Sequence, residues 1–404
     1  LILGCKNTVI PSSVISIGNN AFYKCTGLTS ITIPESVTTI GSQAFYSCSD
    51  IESITVKTEN SKYYSQNNCI IQTSDNYLIL GCKNTVIPPA VRSIRDYAFR
   101  GCTGLTSITI PAMVTSISSL AFIECANIEE ISVSSNNPKY NDGNGSNCII
   151  QTSSNYLILG CKNTVIPSSV IFISEYAFAG CTGLTSIIIP EGVTAIGNNV
   201  FQGCTGLTSI TMVGVTSIGA LAFQGCTGLT SITIPEGVTG IGNYAFSECT
   251  GLTSITIPEA ADTIGTGAFQ LCTGLTHVTF NCNVPNYALY ISHSSSPFYK
   301  CTNINSVTLG DGAITIGESA FLECTWLTSI TIPASVTTIR SQAFRGSNLA
   351  IITCLPTTPP SLESSNTFPS TDVVQHIYVP SESVADYRAA SIWTYYAGKI
   401  SEIV

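Results

Sequence analysis

The sequence predicts a right-handed solenoid of stacked β-coils with a helical cap, and three observations carry that reading. A block of 23 residues, CTGLTSITIPESVTTIGSQAFYS from Cys25, recurs with few changes from Cys102, Cys181, Cys226, Cys249 and Cys324. A strict period of this length means that one block is one coil, which cannot bury its apolar face until it stacks on its neighbours. Within the block the apolar residues fall at strand spacing. No apolar run reaches the ~18–20 residues that a membrane-crossing helix needs.

Each coil can be read from Leu28 onward. Leu28, Ile31 and Ile33 follow an L-x-x-I-x-I pattern, so Ile31 and Ile33 share the core face of a strand while Thr32 points away. Pro34 lacks an N–H and should end that strand. Val37 and Ile40 mark a second short extended stretch on the opposite wall. Gly41 follows, but Arg95, Ser118, Ser174 and Arg340 stand at its place elsewhere, so that position does not require a positive φ. Ala44, Phe45 and Cys48 have the spacing of a single helical turn that closes the coil. Phe22, Phe45, Phe99 and their counterparts through Phe344 should stack as a buried aromatic spine. Parallel strands joined by crossovers give the right-handed superhelix.

Two stretches interrupt the period in the same way. NNCIIQTSDNYLILGCKNTVIP from Asn67 and SNCIIQTSSNYLILGCKNTVIP from Ser146 each hold two apolar strands about a polar turn, Asp75-Asn76 or Ser154-Asn155. LILGCKNTVIP at Leu1 is the second half of a third copy, which sets a longer repeat above the short one. The expected organisation is a solenoid over 1–360, with hairpin inserts at about 57–81 and 134–160 and an irregular insert at 281–300 that reads as a surface loop. Residues 361–404 form a capping coil and helix, with Ser381 as N-cap and Val384, Tyr387 and Trp393 covering the last coil.

The chain has 18 cysteines, and eleven of them, from Cys25 to Cys324, occupy one repeat position, with Ser347 at the twelfth. Neighbouring coils would hold their Cβ vectors parallel, so these read as buried thiols and not as a disulfide framework. Cys69 with Cys82 and Cys148 with Cys161 are different. A symmetric two-residue turn would set each pair face to face, and a cross-strand disulfide is open to both.

Composition narrows the function. Only 10% of residues are charged and the formal net charge is −9, which argues against a nucleic-acid partner. His277, His293 and His376 lie on unrelated segments, and no phosphate loop, nucleophile elbow or HExxH is present. Cys282, His277 and His293 lack metal-ligand spacing. No catalysis, metal or cofactor is expected. The outward strand residues instead form hydroxyl rows: Ser30, Ser107, Ser209, Ser231 and Ser254 in one, and Thr32, Thr109, Thr211, Thr233, Thr256 and Thr331 in the other. This concave face offers hydrogen bonds without strong steering, suited to an extended protein or a glycan held by many weak contacts. Trp326, at a repeat position elsewhere taken by Gly, is a further contact candidate. A monomeric binder is the leading expectation and a spacer that displays another domain is the second. The chain opens at Leu1 inside a motif, so any targeting signal is expected outside these residues.

LTSITIP, VTTIG and the AF-x-x-C ending resemble the BspA-like, Treponema-type leucine-rich repeats of bacterial surface proteins, over nearly the whole chain. The tail IYVPSESVADYRAASIWTYY is similar to the ends of such proteins in anaerobes. The resemblance implies a leucine-rich-repeat solenoid at the cell surface or secreted, adhesive or host-interaction roles, and extracellular matrix or other surface proteins as partners. It carries over no active site.

Overall fold

The computed structural model describes residues 3–286 and 288–403. The chain forms two compact units, Leu1–Ile210 and Thr211–Val404. Each is a parallel β-solenoid with two strand walls and a turn side. In the first unit Ser30–Ile33 pairs in parallel with Ser53–Val56, so that Ser30 faces Ser53 and Thr32 faces Thr55. Ser107–Ile110 pairs likewise with Glu130–Val133. The second wall is built from two-residue strands such as Ser16–Ile17 beside Thr39–Ile40. In the second unit Ser254–Ile257, His277–Phe280 and Ser306–Leu309 form one sheet. Ser329–Ile332, Ile351–Cys354, His376–Val379 and Ile400–Glu402 form another. Alternation does what the pattern requires: Ile31 and Ile33 are buried and Ser30 and Thr32 exposed, and the strand stops before Pro34.

The turn side differs from the expected helical turn. Gln43 and Ser47 both have left-handed backbone, at φ 55° and 56°, and equivalent residues repeat this in nearly every coil. Two such residues per turn break any run of i→i+4 bonds, leaving short turns closed by Tyr46 N–H to Gln43 O at 3.0 Å and Cys48 N–H to Phe45 O at 3.2 Å. Gly41 is not left-handed, in agreement with its replacement by Arg and Ser elsewhere. Adjacent turns are tied by a second ladder, as in Phe22 N–H to Ala44 O at 2.7 Å and Lys24 N–H to Tyr46 O at 2.9 Å. Among the described residues helix is confined to Val384–Ala389 and to 3-10 turns at Ser381–Ser383 and Trp393–Lys399.

The phenylalanines stack as expected but in segments. In the first unit Phe22 lies on Phe45 at 4.8 Å, Phe99 on Phe122 at 4.9 Å and Phe178 on Phe201 at 5.2 Å. The breaks fall at the hairpins. Tyr63–Gln66, Cys69–Gln72 and Tyr77–Leu80 form an antiparallel meander whose last strand joins the second wall in parallel, with Tyr77 opposite Ser93. Tyr140–Asn141, Cys148–Gln151 and Tyr156–Gly160 repeat the arrangement. These coils have no Ala-Phe turn. The chain passes instead through Gly81, whose N–H bonds Ala98 O at 2.9 Å.

A Cβ at Gly81 would stand 2.1 Å from Cε1 of the buried Phe99 ring, and Gly4 and Gly160 meet Phe22 and Phe178 in the same way. The glycine is therefore required by close approach. Gly81→Ala should cost at least ~1–3 kcal/mol, the usual range for overpacking. Gly237→Ala, where the nearest atom is 3.9 Å away, should be nearly neutral. Urea unfolding of the two variants checks this.

Residues 281–300 are part of the stack, contrary to the surface-loop expectation; Tyr287 lies outside the described residues. Val284 bridges Ile316, Leu289 N–H bonds Ala320 O at 2.7 Å, and Phe298 stacks on Phe269 at 4.8 Å. The insert thus supplies a wall residue and a spine ring. At the C-terminal end three buried aromatic side chains each donate to a proline carbonyl. Tyr387 Oη reaches Pro356 at 2.9 Å, Trp393 Nε1 reaches Pro360 at 2.8 Å and Tyr396 Oη reaches Pro369 at 2.8 Å. Ser381 caps nothing: it is inside the 3-10 turn, and the hydroxyl that ties this segment down is Ser383, which donates to Thr357 O at 2.8 Å.

Candidate functional site

The hydroxyl rows exist where strands form. In the first unit Ser30, Thr32, Ser107, Thr109 and Ser209 are all exposed on strands. Thr109 faces Ser132, and their hydroxyls are 2.8 Å apart. In the second unit Ser254 and Thr256 face His277 and Thr279, and Thr331 faces Thr353. Thr211 is exposed at a strand end. Ser231 and Thr233 are also exposed, but no strand forms at 231–234, which corrects their expected place in a ladder. Trp326 is half-buried on the turn ahead of Ser329–Ile332.

Two features of this face were not anticipated. His277 sits in the serine row, with Nδ1 against Ser306 Oγ and Nε2 at 3.1 Å from Thr279 Oγ1 and 3.4 Å from Thr308 Oγ1. It is an imidazole netted by hydroxyls, with no carboxylate among these partners. The threonine row also carries aliphatic side chains: Val9, Val86, Val165 and Ile188 are 85%, 66%, 72% and 71% exposed. The KNTVIP segments fill one coil each. Lys83 pairs with Glu52 of the preceding coil at 2.7 Å and lies against Gly104 of the following one. Aligning NTVIP under SITIP would have revealed the valines. It also puts Thr85 and Thr164 in core positions, where their hydroxyls donate to Asn68 O at 2.6 Å and Asn147 O at 2.5 Å.

Among the described residues no three His, Cys, Asp or Glu side chains converge to hold a metal ion. No helix there is long and apolar enough to cross a membrane.

A family model described as BspA type leucine rich repeat region, in six copies, matches residues 3–75, 70–155, 149–276 and 291–387. The chain belongs to the BspA-type leucine-rich repeat family. None of the curated proteins matches it. Among solved structures, a leucine-rich repeat protein from Bacteroides ovatus ATCC 8483 is 27% identical, with a TM-score of 0.52 over 97% of this chain and 88% of that one. Another, from Eubacterium ventriosum ATCC 27560, is 25% identical, with a TM-score of 0.46 over 83% and 81%. A leucine rich cell surface protein from Faecalibacterium prausnitzii A2-165 is 23% identical, with a TM-score of 0.30 over 96% and 82%.

The cysteine of this BspA-type repeat has a defined job. Its thiol donates to the carbonyl of the spine phenylalanine one coil back: Cys48 to Phe22 at 2.9 Å, Cys125 to Phe99 at 3.0 Å, Cys249 to Phe223 at 3.1 Å and Cys272 to Phe246 at 3.0 Å. Burial pushes Cys48 and Cys102 up to about 12, so these thiols hold their protons. In the hairpins the symmetric register does not form. Gln72 faces Tyr77 and Gln151 faces Tyr156 across turns ending in left-handed Asn76 and Asn155, and a bulge follows. Cys148 therefore lies opposite Gly160 and not Cys161. Cys69, Cys82, Cys148 and Cys161 are buried free thiols, and Cys69 donates to Gln66 O at 2.9 Å while Cys82 turns to Asn68 O at 3.5 Å.

Proposed function

We propose that this BspA-type chain is a non-catalytic protein of the cell surface or secreted space, which binds a matrix or other surface protein, or a glycan, through its strand face. The observation that carries the reading is the in-register row of exposed hydroxyls, nearly free of charge and now interrupted by exposed Val9, Val86, Val165 and Ile188. Hydroxyls both donate and accept, and isolated aliphatic side chains add apolar contact, so a long partner can gain from many weak contacts. Family membership supports the location and the binding role. Monomeric behaviour is part of the proposal. A spacer role is the second reading, favoured by the high internal identity of the coils.

The test is binding of the purified chain to a panel of matrix proteins and host glycans at physiological salt. One saturable interaction is expected. A blank across the panel would replace the binder with the spacer.

A further inference from the structure

The first unit has a cleft on its turn side, away from the strand face. It has a volume of about 740 Å³ and lies between the turn at Gly41–Tyr46 and the turn at Arg95–Tyr97, with Tyr63, Gln72 and Ile79 along its floor. Its cause is the missing Ala-Phe turn of the hairpin coil. Where turns follow one another, Asn20 N–H donates to Ser42 O and Phe22 N–H to Ala44 O. The corresponding N–H groups of Gln43 and Phe45 meet no turn, and among the described residues neither has an acceptor.

We infer that this cleft is a binding site for a neutral oligosaccharide. The walls are chemically complementary to vicinal hydroxyls. One offers donors, the N–H groups of Gln43 and Phe45, and the other offers the exposed carboxylate of Asp96 as acceptor. The Gln43 amide is pre-set: Arg100 Nη1 donates to its Oε1 at 2.8 Å, which leaves its Nε2 protons for a ligand. Arg100 also covers the Tyr46 ring at 4.0 Å and bonds Glu124 at 3.2 Å, while Tyr46 Oη donates to Glu124 Oε2 at 2.7 Å, so this end of the cleft is fixed. Tyr97 supplies an aromatic wall for the C–H face of a sugar ring. The lining holds one cation, Arg95, and one anion, Asp96; Arg95 lies over Tyr77 at 4.7 Å and pairs with Asp75 at 3.9 Å, so nothing in the cleft selects an anionic ligand. The volume falls in the usual range of small-ligand sites.

The test is calorimetric titration with neutral gluco-, xylo- and manno-oligosaccharides, an acidic oligogalacturonate and an unrelated extended peptide. At least one neutral oligosaccharide should bind, and the double change D96S/Y97Q should weaken it by about tenfold or more. Ser42 and Gln43 occupy these positions in an earlier coil, so the variant should fold with an unchanged Tm. Thr109→Tyr on the strand face should leave this binding unchanged, which separates the cleft from the proposed strand-face site. No neutral oligosaccharide bound at millimolar concentration, binding that survives D96S/Y97Q, or binding of only the acidic sugar or the peptide would overturn the assignment.

Discussion

Phe246→Ala should strongly destabilise the second unit. Phe246 is fully buried between Phe223 and Phe269, with ring centroids 5.1 and 5.2 Å away. Removing a buried phenylalanine costs ~3–5 kcal/mol because the cavity does not collapse. The stacked geometry adds ~0.5–1.5 kcal/mol for each aromatic neighbour lost. In a repeat protein the damage falls first on the adjacent coils. Both tryptophans, Trp326 and Trp393, lie in the second unit, so tryptophan fluorescence during urea unfolding reads that unit alone. The midpoint should drop sharply for Phe246→Ala. An unchanged midpoint would contradict the structural role of the stacked spine.

Truncation before Pro380 should have the second large effect. It removes Tyr387, Trp393 and Tyr396, three buried rings worth ~1.5–3 kcal/mol each by burial alone. It also strips the carbonyls of Pro356, Pro360 and Pro369 of their donors and exposes Phe368, which Trp393 and Tyr396 now cover. The strand His376–Val379 would lose its partner Ile400–Glu402 and become an open edge, an invitation to aggregate. A Tm many degrees lower, with visible aggregation on heating, is expected. Trp393→Ala alone should reproduce part of the fall, and an unchanged Tm for the truncated chain would rule out the capping role.

What could be read in advance follows from which physics is local. Strand alternation at Ile31, Thr32 and Ile33 and the stop at Pro34 depend on one coil's own residues, and they were legible. The turn at Gln43–Ser47 differs from the expected helical turn because its left-handed positions are shared among Asn, Gln, Leu, Tyr, Ser, Lys, Glu and Gly, and glycine stands at the Ser47 position in only some coils, such as Gly101, Gly180 and Gly203. The hairpin register depended on one bulge and on turns that end at Asn76 and Asn155, neither visible as a spacing. Phe298 was hidden because Pro297 replaces the usual alanine before it. Much of the hydroxyl face was legible, but its strand at 231–234 fails to form, and the valines at 9, 86 and 165 emerge only when KNTVIP is aligned under TSITIP. The cleft between the Gly41–Tyr46 and Arg95–Tyr97 turns had no signal at all. It arises from an absent turn, and an absence shows only once the neighbouring turns are placed in space.

The most direct test of the binding account uses the ligand found on the panel and a chain carrying Thr32→Tyr, Thr109→Tyr, Thr256→Tyr and Thr331→Tyr together. All four positions are exposed, so the solenoid should keep its Tm. The account predicts that saturable binding disappears while folding is unchanged. Full binding by this variant would show that the strand face is not the contact surface.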